Sequence, residues 1–227
     1  MTRVGAIALA AVTACLGCGG GTGAAPTCAR AWSVTDSRDN PGLAVAIDGG
    51  ALSIAAPLAA DELVSVVREG VLEGDFTLEI DFDAFAPGTT SAYLHATLDL
   101  DDPNLIDVPF VGAGIGVNEG QTDVRALLVY HDESRTRFDL AITPSTAGTL
   151  RIARVGREMV LTATGQSGEL AEVTAQVSDA PTRVGLQFSN AATEGAPADA
   201  SVRITEFRIE GGGGVVTTDH FDCDSLL

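Results

Sequence analysis

Polar and apolar residues alternate one by one over short stretches of this chain, and the pattern recurs from Trp32 onward. The stretch 76–85 is the clearest case, with Phe, Leu, Ile and Phe at every second position and Thr, Glu and Asp between them. A period of two places successive side chains on opposite faces of a β-strand. The pattern therefore predicts strands with one buried face and one solvent-facing side.

Similar short stretches fill the rest of the chain, separated by Gly, Pro or Asp. They are 43–47, 51–54, 61–69, 93–100, 124–130, 138–142, 149–155, 158–163, 182–189, 202–209 and 215–221. Only 61–69 could be helical, and its β-branched residues Val64, Val66 and Val67 favour a strand. Strands at this regular spacing favour an antiparallel sandwich over a βαβ fold. The stretch 112–116 (GAGIG) resembles a nucleotide fingerprint but lacks the helix that should follow, so we interpret it as a turn or bulge.

The charge of the chain excludes one class of partner. The formal net charge is −18, from 13 basic and 31 acidic residues. Nucleic-acid binding requires clustered Lys or Arg, and no such cluster is present, so we expect no nucleic-acid partner.

The N-terminal residues read as an export signal. Residues 1–14 place Arg3 before an apolar run that is too short to span a bilayer, which is typical of a signal peptide. Val12-Thr13-Ala14-Cys15 resembles the bacterial lipobox, which implies that Cys15 is lipidated, with Cys18 as the alternative. The Gly-rich residues 15–27 then form a flexible tether. We expect an exported protein of the cell envelope that its lipid anchors to the membrane, which we take to be the outer membrane.

Three stretches together resemble the concanavalin A-like lectin/glucanase superfamily. They are Gly74–Phe82 (GDFTLEIDF), Gly148–Gly156 (GTLRIARVG), and the pair Val184–Phe188 and Val202–Ile209 (VGLQF … VRITEFRI). The resemblance implies that residues 28–227 form an all-β, antiparallel two-sheet jelly-roll sandwich, concanavalin A-like, with one concave sheet. Members bind or cleave polysaccharides or serve in adhesion, and the fold does not decide among these.

The sequence departs from the carbohydrate-active members in its aromatic residues. Many relatives carry a Trp near the position of Leu170, whereas Trp32 is the only tryptophan here and aromatics make up 5% of the chain. Sugar sites commonly stack rings on Trp or Tyr, so this departure weighs against a glycan ligand.

Cys28 and Cys223 stand near the two ends of this domain. The first and last strands of a jelly roll commonly lie side by side, and exported proteins meet an oxidising compartment, so we predict a Cys28–Cys223 disulfide. If Cys15 carries the lipid, Cys18 is left unpaired; if Cys18 carries it, the remaining cysteines pair off.

Glu79, Asp81 and Asp83 share one face of their predicted strand. They resemble the strand of laminarinase-type glucanases in which the first Glu is the nucleophile, the Asp tunes it, and a last Glu is the acid/base. Asp83 is one methylene shorter than that Glu, and the three carboxylates also fit a solvated strand face or a ligand contact.

Tyr93 and His95 share a face of the next predicted strand. If that strand adjoins the carboxylates, Glu79, Asp81, Asp83, Tyr93 and His95 form one polar patch on the concave sheet. We predict this patch as the ligand-binding surface.

An acidic loop follows this strand. Its oxygen-bearing residues are Asp99, Asp101, Asp102, Asn104 and Asp107. Clustered carboxylates suit Ca²⁺, but the spacing is not that of an EF-hand, so we expect no cofactor and keep Ca²⁺ as the alternative to a plain acidic turn.

These observations predict a membrane-anchored lipoprotein with a noncatalytic, lectin-like binding or adhesion domain. Its expected partner is a glycan, as polysaccharide, or an envelope protein. The alternatives are a laminarinase-type glycoside hydrolase that uses Glu79, Asp81 and Asp83, and a purely structural envelope lipoprotein.

Overall fold

The structure is a computed structural model. It describes residues 31–88, 92–100, 112–118, 121–129, 136–192, 197–211, 217–219, 221 and 225–226. The predicted signal peptide, the predicted tether and all four cysteines (Cys15, Cys18, Cys28 and Cys223) lie outside the described residues. Asp101, Asp102, Asn104 and Asp107 of the acidic loop also lie outside them.

The described residues form sixteen strands and no helix. In chain order the first eight are β1 (Ala31–Asp36), β2 (Ala44–Asp48), β3 (Ala51–Leu58), β4 (Glu62–Arg68), β5 (Phe76–Ala86), β6 (Ala92–Leu100), β7 (Gly112–Asn118) and β8 (Gln121–Leu128). The other eight are β9 (Arg137–Ile142), β10 (Gly148–Val155), β11 (Glu158–Gly165), β12 (Leu170–Gln176), β13 (Thr182–Asn190), β14 (Ala198–Gly211), β15 (Thr217–Asp219) and β16 (Ser225–Leu226).

The strands form two sheets packed face to face. The first sheet has the order β16-β1-β4-β13-β6-β7-β8-β9, and the second has the order β12-β11-β10-β5-β14-β3-β2, with β15 paired to β14. Neighbouring strands run antiparallel except β1 and β16, which are parallel and pair Ala31 with Ser225. The predicted two-sheet antiparallel sandwich is therefore confirmed.

The inward-facing residues of both sheets form one continuous apolar core. Trp32 lies in this core with no exposed surface, and its ring meets Phe207 edge-on at 4.8 Å between ring centroids. The only tryptophan of the chain therefore stabilises the core and is not available to stack on a ligand.

Strand residues that alternate in polarity along the sequence also alternate between buried and more exposed positions in the structure. In β4 and β12 every second residue is buried, which confirms that 61–69 is a strand. In β5 the alternation holds from Phe76 to Asp83 and then shifts, because Ala84 adopts a positive φ of 51° and Phe85 turns inward. A β-bulge of this kind adds one residue to a strand and changes the face of those that follow.

The glycine-rich stretch 112–116 is not a turn. It belongs to β7, which pairs with β6 on one side and with β8 on the other. Our interpretation as a turn or bulge was wrong, because Gly114 and Gly116 occupy outward positions of a strand where side chains of β6 fill the adjacent space.

No helix in the described part of the chain is long and apolar enough to cross a membrane.

Candidate functional site

Glu79, Asp81 and Asp83 lie on the outer face of the second sheet, as their alternation predicts. They form a charged ladder with residues of β14 and β10. Arg208 Nη1 lies 3.0 Å from Glu79 Oε1. Arg203 donates two hydrogen bonds to Asp83, of 2.7 and 2.6 Å.

The central carboxylate of this ladder is also engaged. Thr149 Oγ1 donates a 2.6 Å hydrogen bond to Asp81 Oδ1. Beside it, Arg208 Nε donates a 2.9 Å hydrogen bond to Glu206 Oε1. Each of the three predicted carboxylates therefore already has a partner within the second sheet.

The electrostatics of the ladder do not suit acid/base chemistry. The hydrogen bonds from Arg203 lower the pKa of Asp83 below its ordinary value of 3.8, against an opposing effect of burial. A general acid needs the opposite change, a raised pKa that keeps it protonated near neutral pH. In addition, Glu79 and Asp83 are four positions apart, roughly 13 Å along a strand, and each is held by a different arginine. The arrangement fits a solvated ladder of ion pairs.

Tyr93 and His95 lie elsewhere, on β6 of the first sheet. Because β5 and β6 belong to opposite sheets, the outward faces of these strands point away from each other. The single patch expected from Glu79, Asp81, Asp83, Tyr93 and His95 is therefore wrong. The sequence predicts which residues share a face of a strand, but not which sheet the strand joins.

A second group of polar and aromatic residues surrounds Tyr93 and His95. The register of five neighbouring strands, β9, β8, β7, β6 and β13, aligns the outward residues of the first sheet in three rows. One row is Ile142, Asp123, Gly116, Tyr93, Ser189; the next is Leu140, Arg125, Gly114, His95, Gln187; the third is Phe138, Leu127, Gly112, Thr97, Gly185.

The glycines of β7 leave room for the two rings. A Cβ at Gly116 would lie 1.9 Å from Tyr93 Cδ1, and one at Gly114 would lie 2.4 Å from His95 Cδ2. Both distances are far shorter than real carbon contacts, so the rings occupy the space that side chains of β7 would fill. Glycine at these positions is what lets the rings lie across the sheet.

Arg125 of β8 completes this arrangement from the other side. Its Cζ lies 4.0 Å from the centroid of the Tyr93 ring, a cation–π contact. Its Nε and Nη2 donate hydrogen bonds of 2.7 and 2.6 Å to the two carboxylate oxygens of Asp123. We call Tyr93, His95, Asp123 and Arg125 the stacked cluster.

The stacked cluster is buried although it lies on the outer face of a sheet. Asp123 has no exposed surface, His95 is 1% exposed and Tyr93 is 8% exposed. Burial lowers the pKa of His95 from 6.5 to about 3, and the positive charge of Arg125 acts in the same direction. His95 is therefore neutral at physiological pH.

One amide oxygen and one hydroxyl oxygen beside the cluster are buried. Gln187 Oε1 and Ser189 Oγ have no hydrogen-bond partner among the described residues. Buried oxygens of this kind ordinarily accept a hydrogen bond, so each can still accept one. Thr97 and Gln187 are partly exposed at its surface.

Sequence reasoning found two of the four cluster residues and missed Asp123 and Arg125. The available signal was their alternation within Gln121–Leu128, which places both on one face. Their contact with Tyr93 depends on the order of β6, β7 and β8 in the sheet, which the sequence does not reveal.

Asp99 is the one residue of the predicted acidic loop within the described residues. It is exposed, and its backbone oxygen accepts a 2.7 Å hydrogen bond from Thr182 Oγ1. Within the described ranges, no three His, Cys, Asp or Glu side chains group closely enough to hold a metal ion.

No family model matches the chain, and no curated protein matches it. Solved structures do resemble it. A functionally unknown protein from Saccharomyces cerevisiae aligns at 12% identity with a TM-score of 0.56, covering 80% of this chain and 97% of that one. A legume lectin-like domain from Entamoeba histolytica aligns at 11% identity with a TM-score of 0.54, covering 80% and 90%.

The carbohydrate recognition domain of Emp47p aligns at 16% identity with a TM-score of 0.50, covering 80% of this chain and 88% of that one. At such identities the likeness concerns the fold alone. The described residues form an all-β, antiparallel two-sheet jelly-roll sandwich of the concanavalin A-like type.

Proposed function

We propose that this protein is a noncatalytic, lectin-like carbohydrate-binding domain whose ligand lies on the outer face of the first sheet. The observation that carries the proposal is the stacked cluster, in which buried polar groups and two rings are held on the outward side of a sheet. Ligand sites typically combine such an apolar or aromatic base with a few fixed polar groups.

Within this site the residues divide into two roles. Tyr93, His95 and Asp123 are too deeply buried for broad ligand contact, so they act as positioning residues beneath the surface. Thr97, Gln187 and Arg125 are partly exposed, with 13% of the Arg125 side chain accessible, so their polar groups other than the buried Gln187 Oε1 are the ones that we expect a sugar hydroxyl to contact. That Tyr93 and His95 belong to the ligand site stays a prediction.

The fold supports this proposal by analogy. The legume lectin-like domain and the Emp47p carbohydrate recognition domain carry the same architecture, and their names describe carbohydrate recognition. A shared fold does not by itself transfer an activity, so the proposal depends on the stacked cluster.

The glucanase alternative has less support. A retaining hydrolase needs one carboxyl group free as a nucleophile and another with a raised pKa. Here Glu79 and Asp83 are each paired with an arginine, and the pKa of Asp83 is lowered. For this reason we propose binding without cleavage.

We further propose that the domain is held at the envelope by lipid on Cys15, with Cys18 as the alternative. The support is the lipobox-like stretch 12–15 and the Gly-rich tether 15–27. An anchored carbohydrate-binding domain would attach polysaccharide, of the envelope or of the surroundings, to the membrane surface.

The test is polysaccharide binding by two matched glutamine variants. Gln187 and Gln176 both face outward, the first on β13 beside the stacked cluster and the second on β12 of the second sheet. For a polysaccharide that the wild type binds, we expect Gln187→Ala to lower the affinity about fivefold, because a hydrogen-bonding group is lost. Gln176→Ala should bind like the wild type.

Affinity electrophoresis over a polysaccharide panel, followed by calorimetry, measures this difference. Circular dichroism confirms that both variants fold. Equal weakening by Gln176→Ala would move the site to the second sheet and contradict the proposal, as would failure of every polysaccharide to bind.

A further inference from the structure

An exposed apolar strip runs along the edge of the first sheet. It consists of Phe138, Leu140 and Ile142, the outward residues of β9, and β9 is the last strand of that sheet. Phe138 is 54% exposed and Ile142 is 56% exposed. Exposed apolar side chains that form a contiguous patch, unlike scattered single ones, mark an interaction surface.

The strip continues the surface that carries the stacked cluster. Leu140 lies opposite Arg125, and Ile142 lies opposite Asp123, in the register of β9 with β8. Residues directly opposite on neighbouring strands share a face. The apolar strip and the polar groups of the cluster therefore form one continuous face, apolar at its edge and polar towards its centre.

The charges of the stacked cluster are already balanced. The Asp123 carboxylate and the Arg125 guanidinium are joined by two hydrogen bonds, so the pair offers dipoles and no net charge to a ligand. The whole chain carries a formal charge of −18, which repels anionic polymers at low salt. An uncharged ligand meets neither obstacle.

We propose that the apolar strip binds the C–H face of an uncharged polysaccharide chain, with the Phe138 ring as its main contact. The inference rests on the proposed carbohydrate-binding function and specifies its ligand class as neutral glycans. Phe138 to Ile142 spans roughly 13 Å along the strand, so the strip contacts a chain and not a single monosaccharide.

The experiment compares two large, exposed apolar residues, one on each sheet. Phe138→Ala removes the aromatic ring at one end of the strip, and Leu170→Ala removes a side chain that is 52% exposed on β12 of the second sheet. The probes are laminarin as a neutral glucan and alginate as an anionic polysaccharide, at low ionic strength. We expect laminarin to bind, alginate not to bind, and Phe138→Ala to weaken laminarin binding about tenfold.

The outcomes separate this inference from the proposed function. Laminarin binding that survives both Phe138→Ala and Ile142→Ala, or a preference for alginate, would overturn the strip as a neutral-glycan site while leaving carbohydrate binding intact. No binding to any polysaccharide would overturn both. If analytical ultracentrifugation shows a wild-type dimer that Phe138→Ala dissociates, the strip is instead an interface between copies, and the inference fails.

Discussion

At the scale of single residues, His95 illustrates what alternating polarity along a strand can and cannot predict. Alternation within 93–100 correctly placed His95 on the outward side of its strand, away from Leu94 and Leu98. An outward residue is ordinarily solvated, yet His95 is 1% exposed. Its burial depends on the ring lying over Gly114, a contact between strands that alternation does not encode.

The burial of His95 predicts a specific loss of stability in acid. Its pKa is about 3 in the folded chain against 6.5 for an ordinary histidine, so between these values only the unfolded chain binds the proton. Stability therefore falls as pH decreases through this window, by about 1.4 kcal/mol per pH unit from this residue. Chemical denaturation at pH 7, 6, 5 and 4 should show a shallower decline for His95→Gln than for the wild type.

His131→Gln and His220→Gln serve as matched controls for this measurement. An NMR titration in which the His95 ring protonates near pH 6.5 would contradict the prediction.

At the scale of strands, irregularities decide where charged residues meet. Arg203 and Arg208 are five positions apart and should point to opposite faces of a regular strand. A register shift between Ile204 and Glu206 inserts one residue into β14, so both arginines face outward and reach Asp83 and Glu79. Bulges leave little trace in polarity, which is why the sequence predicted the carboxylate face but not its partners.

The order of the strands within the two sheets could not be predicted from the sequence either. The sandwich architecture and most strand positions follow from alternation and from turn residues, and these were confirmed, whereas β7 was interpreted as a turn or bulge and β1 and β12 were not predicted as strands. Placing β5 and β6 in different sheets is a matter of long-range pairing, which a period of two does not specify. Glycine at alternate positions of β7 was misleading, because glycine usually marks a turn, and here it accommodates rings from β6.

The pairing of β1 with β16 supports a prediction about the cysteines. These strands are parallel with Ala31 opposite Ser225, and Cys28 and Cys223 precede these residues by three and two positions. We predict that the two cysteines form a disulfide. Reduction, or the double change Cys28→Ser and Cys223→Ser, should lower the free energy of unfolding by up to about 5 kcal/mol, the chain-entropy value for so long a loop.

Thiol labelling of the unfolded, unreduced protein checks this pairing directly, and Cys18→Ser provides the control. Labelling of both Cys28 and Cys223 without reductant would show that the bond is absent.

At the scale of the whole molecule, the two outer faces of the sandwich differ in kind. The second sheet presents paired charges that are partly exposed, such as Glu79 at 27% and Arg208 at 34% of their side-chain surface. The first sheet presents a buried polar cluster bordered by an apolar strip. Solvated ion pairs contribute little to stability, whereas buried polar groups cost stability unless they are hydrogen-bonded. This contrast is the reason why we propose the first sheet as the face that contacts a ligand.

The proposed anchor makes a prediction about where the molecule resides. Cys15→Ala should move the protein from the membrane fraction to the soluble fraction and abolish incorporation of labelled fatty acid, since stable attachment needs several acyl chains. Cys18→Ser should leave both unchanged. The reverse result would assign the lipid to Cys18, and retention of label in the double variant would contradict lipidation at either cysteine.

The position of β1 within the first sheet also has a mechanical meaning. β1 is hydrogen-bonded to β4 on one side and to β16 on the other. A force applied to the chain ahead of Ala31 must break both ladders before the strand leaves the sheet. If the domain binds a polymer that is pulled by flow, the force passes to the chain ahead of Ala31 through β1. Two rows of hydrogen bonds, one to β4 and one to β16, then resist the removal of β1 from the sheet.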